Sequence, residues 1–336
     1  MTNSQTPSNE RVLLADIGGT NARFALMDGG EIGPVEHLRV ADFPASTDAI
    51  TAFLGSHAAG GPPVTGVLGV AGPVQNNRCV FTNSPWVIDG AELEQAFGLR
   101  AVHVLNDFEA LAWSLPALQP SDLFALGKQR PVAGAPMLVV GPGTGFGASC
   151  FIPRAIAPFA VVTEGGHATL PAISEREEQV IHHLRKRFGH VSIERVLTGS
   201  GLENLYSALA ALDGVTVPAR DPAGITEAAL DGSCAVSRAA LDMFCAVLGS
   251  VAGNLALTFC AQGGVYIAGG IVPRFADRLA QSGFLTRFES KGRYDAYLRA
   301  IPIHIITRQD ASFLGVKAFF ERNVATSDIS ADRTRR

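Results

Sequence analysis

The sequence predicts an α/β protein of two lobes, and three observations predict it. The chain has 336 residues, too long for one ordinary core. Apolar strand-like runs alternate along it with helix-like segments. A strand, a glycine-rich turn and a second strand occur twice, well over a hundred residues apart, as a duplicated α/β unit would give.

The first copy opens the chain. Val12-Leu13-Leu14-Ala15 runs into Asp16-Ile17-Gly18-Gly19-Thr20, and Phe24-Ala25-Leu26 resumes as strand. Residues 46–56 predict a helix that Ser46 can cap, with Ile50, Phe53 and Leu54 on one face. The valine-rich run from Val64 to Ala71 closes on Gly72-Pro73 and predicts a strand. Another, Val102 to Leu105, ends in Asn106-Asp107, and a helix follows from Phe108 to Leu115.

The second copy runs from Met137 to Phe151. Leu138-Val139-Val140 leads into Gly141-Pro142-Gly143-Thr144-Gly145-Phe146-Gly147, and Ala148 onward returns as strand. Aligning Asp16 with Pro142 also aligns Gly19 with Gly145 and Ala22 with Ala148. Residues 175–188 then predict a charged amphipathic helix, followed by the segment Ile193 to Leu197. A long apolar helix is expected from Ala235 to Gln262, and a strand over Val265-Tyr266-Ile267-Ala268 enters Gly269-Gly270. The proline-bearing stretch from Ser114 to Leu123 marks the domain boundary.

Composition narrows the function classes. Hydrophobic residues are 47% and charged residues 17%, which supplies a core and excludes a disordered chain. A net charge of −4 argues against nucleic acid as a partner. Five scattered cysteines with no C-x-x-C pair read as reduced thiols of the cytoplasm. Residues 1–10 are polar, lack the order of a signal peptide and read as a disordered tail. Met243 to Pro273 carries no charge, but Gly249, Ser250, Gly253, Asn254 and Gly263-Gly264 interrupt it. A buried helix and strand fit it better than a membrane span.

The two turns point to phosphate. Glycine lets a ligand approach the backbone closely and leaves N–H donors bare. Ala15, Asp16, Ile17, Gly18, Gly19, Thr20 and Asn21 add a carboxylate and two polar side chains to one such turn. That carboxylate suits a Mg²⁺ ion held through water. Gly143, Thr144 and Gly145 suit the same phosphates from the other lobe. A lone Gly-Gly hairpin is most often only a turn; two matched hairpins, one led by an acid, favour a ligand. No Gly-Lys-Ser/Thr makes either a Walker loop, and strand-like sequence after Gly145 excludes a dinucleotide fingerprint.

Six motifs together resemble the bacterial glucokinase family. They are Ala15 to Arg23 (ADIGGTNAR), Leu105 to Phe108 (LNDF), Gly143 to Gly147 (GTGFG), Glu164 to His167 (EGGH), Glu194 to Gly199 (ERVLTG) and Ala268 to Pro273 (AGGIVP). They follow that family's order and spacing over about residues 11 to 320. The resemblance implies a two-lobed actin-like, ribonuclease-H-like ATPase fold with a ligand cleft between the lobes. It implies a small domain of residues 11–117 plus 308–336 and a large domain of 118–307. It also implies ATP and Mg²⁺ as cofactors, a cytoplasmic homodimer, and phosphorylation of glucose to glucose 6-phosphate, the first step of glycolysis.

Roles follow from the resemblance residue by residue. Asn106, Glu164, His167 and Glu194 would bind sugar hydroxyls, Glu194 at the anomeric end. Asp107 would bind the 6-hydroxyl and act as general base. An aspartate is a weak base, which suffices because phosphoryl transfer is largely dissociative. Gly269 and Gly270 would lie on the adenosine side. Pro142 and Phe146 depart from the family's usual second loop, and the N-terminal extension is longer than usual.

Other readings compete. Asn-Asp at a strand end is also turn or helix-cap chemistry. A Glu–His pair can bind metal, but no third ligand stands at a telling spacing. Glu194 can simply pair with Arg195 at the surface. His182-His183 lies in a segment read as a solvated helix, and Trp86 as a core or cleft-wall residue. At the level of function, the rivals are a kinase for another hexose and a non-enzymatic actin-like nucleotide switch.

Overall fold

The computed structural model of the chain describes residues 10–57, 59–81 and 84–324. It divides into two compact units, one of Met1–Leu118 with Gln309–Arg336, the other of Gln119–Arg308. The tail reading of residues 1–10 lies, apart from Glu10, outside the described residues.

In the first unit, β1 (Val12–Ile17) and β2 (Asn21–Asp28) form an antiparallel hairpin. The short strands β3 (Glu31–Ile32) and β4 (Glu36–Arg39) pair with β2. After α1 (Ser46–Ser56), β5 (Thr65–Val70) lies parallel to β1. A separate ribbon of β6 (Arg78–Val80) and β7 (Val87–Asp89) follows, then α2 (Gly90–Phe97). Next come β8 (Ala101–Asn106), parallel to β5, and α3 (Asp107–Ser114). The main sheet has the order β3-β2-β1-β5-β8.

Side chains of a strand alternate between faces, and here both faces are covered. Leu13, Ala15, Ile17, Leu68 and Val70 join Ile50 and Phe53 of α1 and Leu93 of α2 in one core. Val12, Leu14, Val67 and Leu105 join Ala110 of α3 in another. Trp86 is a core residue of the first of these. One expectation fails: Ser46 does not cap α1. Ala45 takes the cap position and its N–H donates to the Asp48 carboxylate, while the buried Ser46 hydroxyl donates across to the Val87 carbonyl.

The second unit repeats the plan. β9 (Leu123–Ala125) precedes the hairpin of β10 (Met137–Pro142) and β11 (Phe146–Ile152), and β12 (Phe159–Thr163) extends it. Four helices follow: α4 (Glu175–Phe188), α5 (Gly199–Asp213), α6 (Pro222–Leu230) and α7 (Ala235–Phe259). Then come β13 (Val265–Ile267), parallel to β10, the short helices α8 (Ala276–Gln281), α9 (Phe284–Glu289) and α10 (Asp295–Arg299), and β14 (Ile303–Ile306). The sheet order is β12-β11-β10-β13-β14-β9. The run β3-β2-β1-β5-β8 matches the run β12-β11-β10-β13-β14, with β4 added in the first sheet and β9 in the second, a duplication of topology as well as of sequence pattern.

Pro142 is not in the loop, where the sequence placed it: it ends β10 and pairs with Phe146. The loop is Gly143 to Gly145, one residue shorter than Gly18 to Asn21 between the paired Ile17 and Ala22. Ala22 pairs with Ile17 beside its turn, whereas Ala148 pairs with Val140 two residues further from its own, so the residue-for-residue alignment of the two turns does not follow the register of the hairpins. The long helix α7 also stops three residues early, because Cys260 turns left-handed at φ 50°. α7 is long and apolar enough to cross a membrane, yet Leu241, Phe244, Leu248 and Val251 are buried in the unit's core. The charged helix α4 is capped by Ser174, carries Glu175, Glu177 and Glu178 in its first turn and Arg185, Lys186 and Arg187 in its last. That order complements the helix dipole. His182 is exposed on it, as a solvated helix requires.

Helix α11 (Ala311–Phe319) belongs to the first unit and packs Phe313 and Val316 against Leu14 and Ala110. Gly315 allows this approach: a Cβ there would overlap the Ala110 carbonyl oxygen.

Candidate active site

In the first unit the parallel strands β1, β5 and β8 end in line, with Ile17 beside Val70 and Val70 beside Asn106. The first glycine turn and the Asn106-Asp107 pair therefore stand on one edge of one sheet. Ligands of open α/β sheets gather at this carboxyl edge.

The turn is closed by the Gly18 N–H donating to the Asn21 carbonyl at 2.9 Å. Ala15 and Ile17 are buried, so only their backbone can face a ligand, whereas Gly19, Thr20 and Asn21 are exposed. Asp16 is held firmly. Its Oδ2 accepts from Arg23 Nη1 at 3.0 Å and from the Ser312 hydroxyl at 2.8 Å. Arg23 faces Asp16 across the hairpin register and also lies 3.6 Å from Asp310 Oδ1.

Asn106 is the N-cap of α3. Its Oδ1 accepts from the Phe108 and Glu109 N–H groups, and its Nδ2 donates to the Gly72 carbonyl at 3.1 Å. The cap reading of this residue is thus correct as far as it goes, and it leaves one Nδ2 hydrogen for a further acceptor. Asp107 begins α3, and its Oδ1 accepts from the Phe108 N–H at 2.9 Å. The buried Cys79 thiol is pushed up from its ordinary pKa, first by burial and then by the Asp107 charge.

The second unit gathers its own set. The Gly143 N–H donates to the Gly145 carbonyl at 2.8 Å and closes the turn. Phe146 N–H, the next donor, goes to Glu194 Oε2 at 3.0 Å. Glu194 therefore pairs with a backbone amide of the turn and not with Arg195, whose guanidinium stacks on Phe188. The Gly199 N–H, at the start of α5, donates to the Gly143 carbonyl. Gly166 packs so tightly that a Cβ would overlap the Phe146 carbonyl oxygen, which brings Glu164 and His167 beside the turn. Their side chains are 60% and 64% exposed and 3.9 Å apart. Among the described residues no group of three candidate ligands could hold a metal.

The glycines separate by cause. Gly269 has φ +94°, and a Cβ on it would overlap the Pro142 carbonyl oxygen, so the fold itself demands glycine there. Gly18, Gly143 and Gly270 differ. Their φ values are ordinary, and an added Cβ would meet nothing closer than 3.6 Å at Gly18 and 3.8 Å at Gly143, and nothing within 4 Å at Gly270. Packing within the chain does not explain those three.

Sequence reasoning missed Ser312, Arg23 and the Phe146 N–H as partners of site residues. The pairing of Asp16 with Arg23 was readable, since a hairpin sets them opposite each other. Ser312 lies too far along the chain for any local signal.

Comparison with known proteins gives a consistent picture. The family model described as Glucokinase matches residues 13–323. A glucokinase of Paramagnetospirillum magneticum is 50% identical over 311 residues, covering 92% of this chain and 97% of its own. The crystal structure of glucokinase from an Antarctic psychrotroph superposes with a TM-score of 0.85 at 36% identity, covering 94% of this chain and 99% of that one. A ROK family glucokinase from Streptomyces griseus, solved with glucose and AMPPNP, shares the fold at a TM-score of 0.62 and 20% identity, over 91% of this chain and 98% of its own.

Proposed function

This chain belongs to the glucokinase family, and on that premise we propose that it transfers the γ-phosphoryl group of ATP to the 6-hydroxyl of glucose with Asp107 as the base. The observation that carries the reading is the set of glycines without a structural need. Gly18, Gly143 and Gly270 leave bare backbone where packing would tolerate a side chain, as close approach of phosphates and a flat base would require.

The sugar is held by hydroxyl-sized polar groups. Asn106 offers its remaining amide hydrogen, and Glu164, His167 and Glu194 offer carboxylate and imidazole. Asp107 accepts the proton of the 6-hydroxyl as that oxygen bonds to the γ-phosphorus and the bond to the β-phosphate oxygen breaks, leaving ADP. A general base of this kind contributes about 10²–10⁴ in rate. The rest comes from positioning and from N–H donors aimed at the phosphate oxygens.

Asp16 fits a Mg²⁺ ion bound through water. Its carboxylate stands on the ligand edge with Oδ2 pinned by Arg23 and Ser312, which fixes the other oxygen in place. When bound, Mg²⁺ would supply neutralisation of phosphate charge. The same family resemblance implies a cytoplasmic homodimer.

Asp107→Asn tests the base. The amide keeps the shape and cannot take the proton, so kcat should fall at least about 100-fold while calorimetry finds glucose affinity within about threefold of wild type. Retention of more than about a tenth of the activity would remove Asp107 from this role.

A further inference from the structure

We propose that the Glu194 carboxylate links the sugar to the second phosphate turn, so that glucose tightens nucleotide binding through it. The inference rests on the reading that Glu194 meets the sugar.

The geometry is specific. A three-residue turn with glycine at both ends orders poorly by itself, because glycine carries the largest backbone entropy. Beyond its own closing hydrogen bond from Gly143 N–H to the Gly145 carbonyl, two contacts from one neighbouring segment restrain this one. The Gly199 N–H donates to the Gly143 carbonyl, and the Phe146 N–H donates to Glu194 Oε2. Both partners come from one short segment, whose Thr198 hydroxyl donates back to the Glu194 carbonyl. Turn and segment are clasped at two points.

A side chain at position 145 would displace the carboxylate: a Cβ there would stand 2.7 Å from Oε2, so the end of the Glu194 side chain would have to shift. Oε1 accepts no hydrogen bond from the described residues. A half-buried carboxylate tied at one oxygen and open at the other is a bridge. A sugar hydroxyl donating to Oε1 fixes the side-chain rotamer, and with it the charge-assisted bond that Phe146 makes. The ordering cost of the turn is then met before nucleotide arrives. Linkage requires the converse as well: nucleotide, by ordering the turn, tightens glucose by the same factor.

Calorimetric titrations of AMPPNP with and without saturating glucose, and of glucose with and without AMPPNP, test this on wild type, Gly145→Ala and Glu194→Gln. Wild type should show one reciprocal factor of at least about fivefold. Gly145→Ala pushes the carboxylate off the turn while leaving it available to sugar. Its factor should fall below about twofold, whatever its affinity for either ligand alone. Where Gly145→Ala does not fold, Glu194→Asp, one methylene too short to span both partners, must lose the factor instead. A wild-type factor of one, or a factor undiminished in the variant that folds, overturns the link. Glu194→Gln keeps an acceptor for Phe146 but loses the charge offered to sugar, so its glucose affinity should weaken. Unchanged glucose affinity there would instead withdraw Glu194 from the sugar site.

Discussion

Gly18 and Gly269 flank proposed phosphate and nucleotide positions for opposite reasons, and substitution separates them. At Gly269 an alanine meets both a left-handed φ of +94° and the Pro142 carbonyl. The backbone conformation alone costs about 1–2 kcal/mol, and the overlap adds to it. Gly269→Ala should therefore lower the melting temperature. At Gly18 the added methyl has room within the chain, so Gly18→Ala should melt like wild type and raise KM for ATP several-fold. Equal melting temperatures for the two variants would contradict this division. At the residue scale the sequence revealed identities and not causes. It marked both positions as glycine turns, but only φ and the carbonyl of Pro142, on a neighbouring strand, tell them apart. Asn106 teaches the same lesson. Strand-end Asn-Asp reads equally as cap or ligand group, and the fold makes it a cap with one amide hydrogen to spare.

Among the elements, α3 and the edge it starts from carry Asn106 and Asp107, and α11 holds α3 through the contact of Gly315 with Ala110. α4, α7 and α9 are tied by a second device. Arg287 of α9 grips the Glu177 carboxylate of α4 with two bonds, Nη1 to Oε1 at 2.6 Å and Nη2 to Oε2 at 3.1 Å, while its Nε donates to the Ser250 hydroxyl of α7. The Glu177 side chain is 6% exposed. Burial pushes its pKa up, but the Arg287 guanidinium and the N–H of Ile173 outweigh burial, and the net shift is downward. A carboxyl depressed in the folded state stabilises above its unfolded pKa of about 4.3, and loses that contribution as pH falls through the folded value. Arg287→Ala should thus cost about 3–5 kcal/mol near neutral pH. Denaturant titrations at stepped pH should show the gap to wild type closing below about pH 4; a gap independent of pH would exclude the ion pair as its cause. Helix α4 itself was readable to the residue as a charged amphipathic segment. The pair was not, because Glu177 and Arg287 are 110 positions apart and nothing local joins them.

At the scale of the whole molecule, the duplicated strand–turn–strand pattern carried most of the architecture. Two hairpins in the sequence became two sheets that share a run of five strands in the same order, because an apolar strand that returns through a glycine turn pairs with its own return before recruiting parallel neighbours. The return of α11 to the first unit was legible only through family resemblance, since composition does not reveal which core a terminal helix joins. Function followed the same division. The two glycine turns were physically readable, whereas the role proposed for Glu194 rests on family resemblance and on the turn it holds. The most direct test of the account is ADP release by the purified chain with ATP and Mg²⁺ across a panel of hexoses. Glucose should raise the rate at least about 100-fold over the sugar-free rate, as positioning of an acceptor hydroxyl requires; a rate of ATP turnover unchanged by any hexose would contradict it.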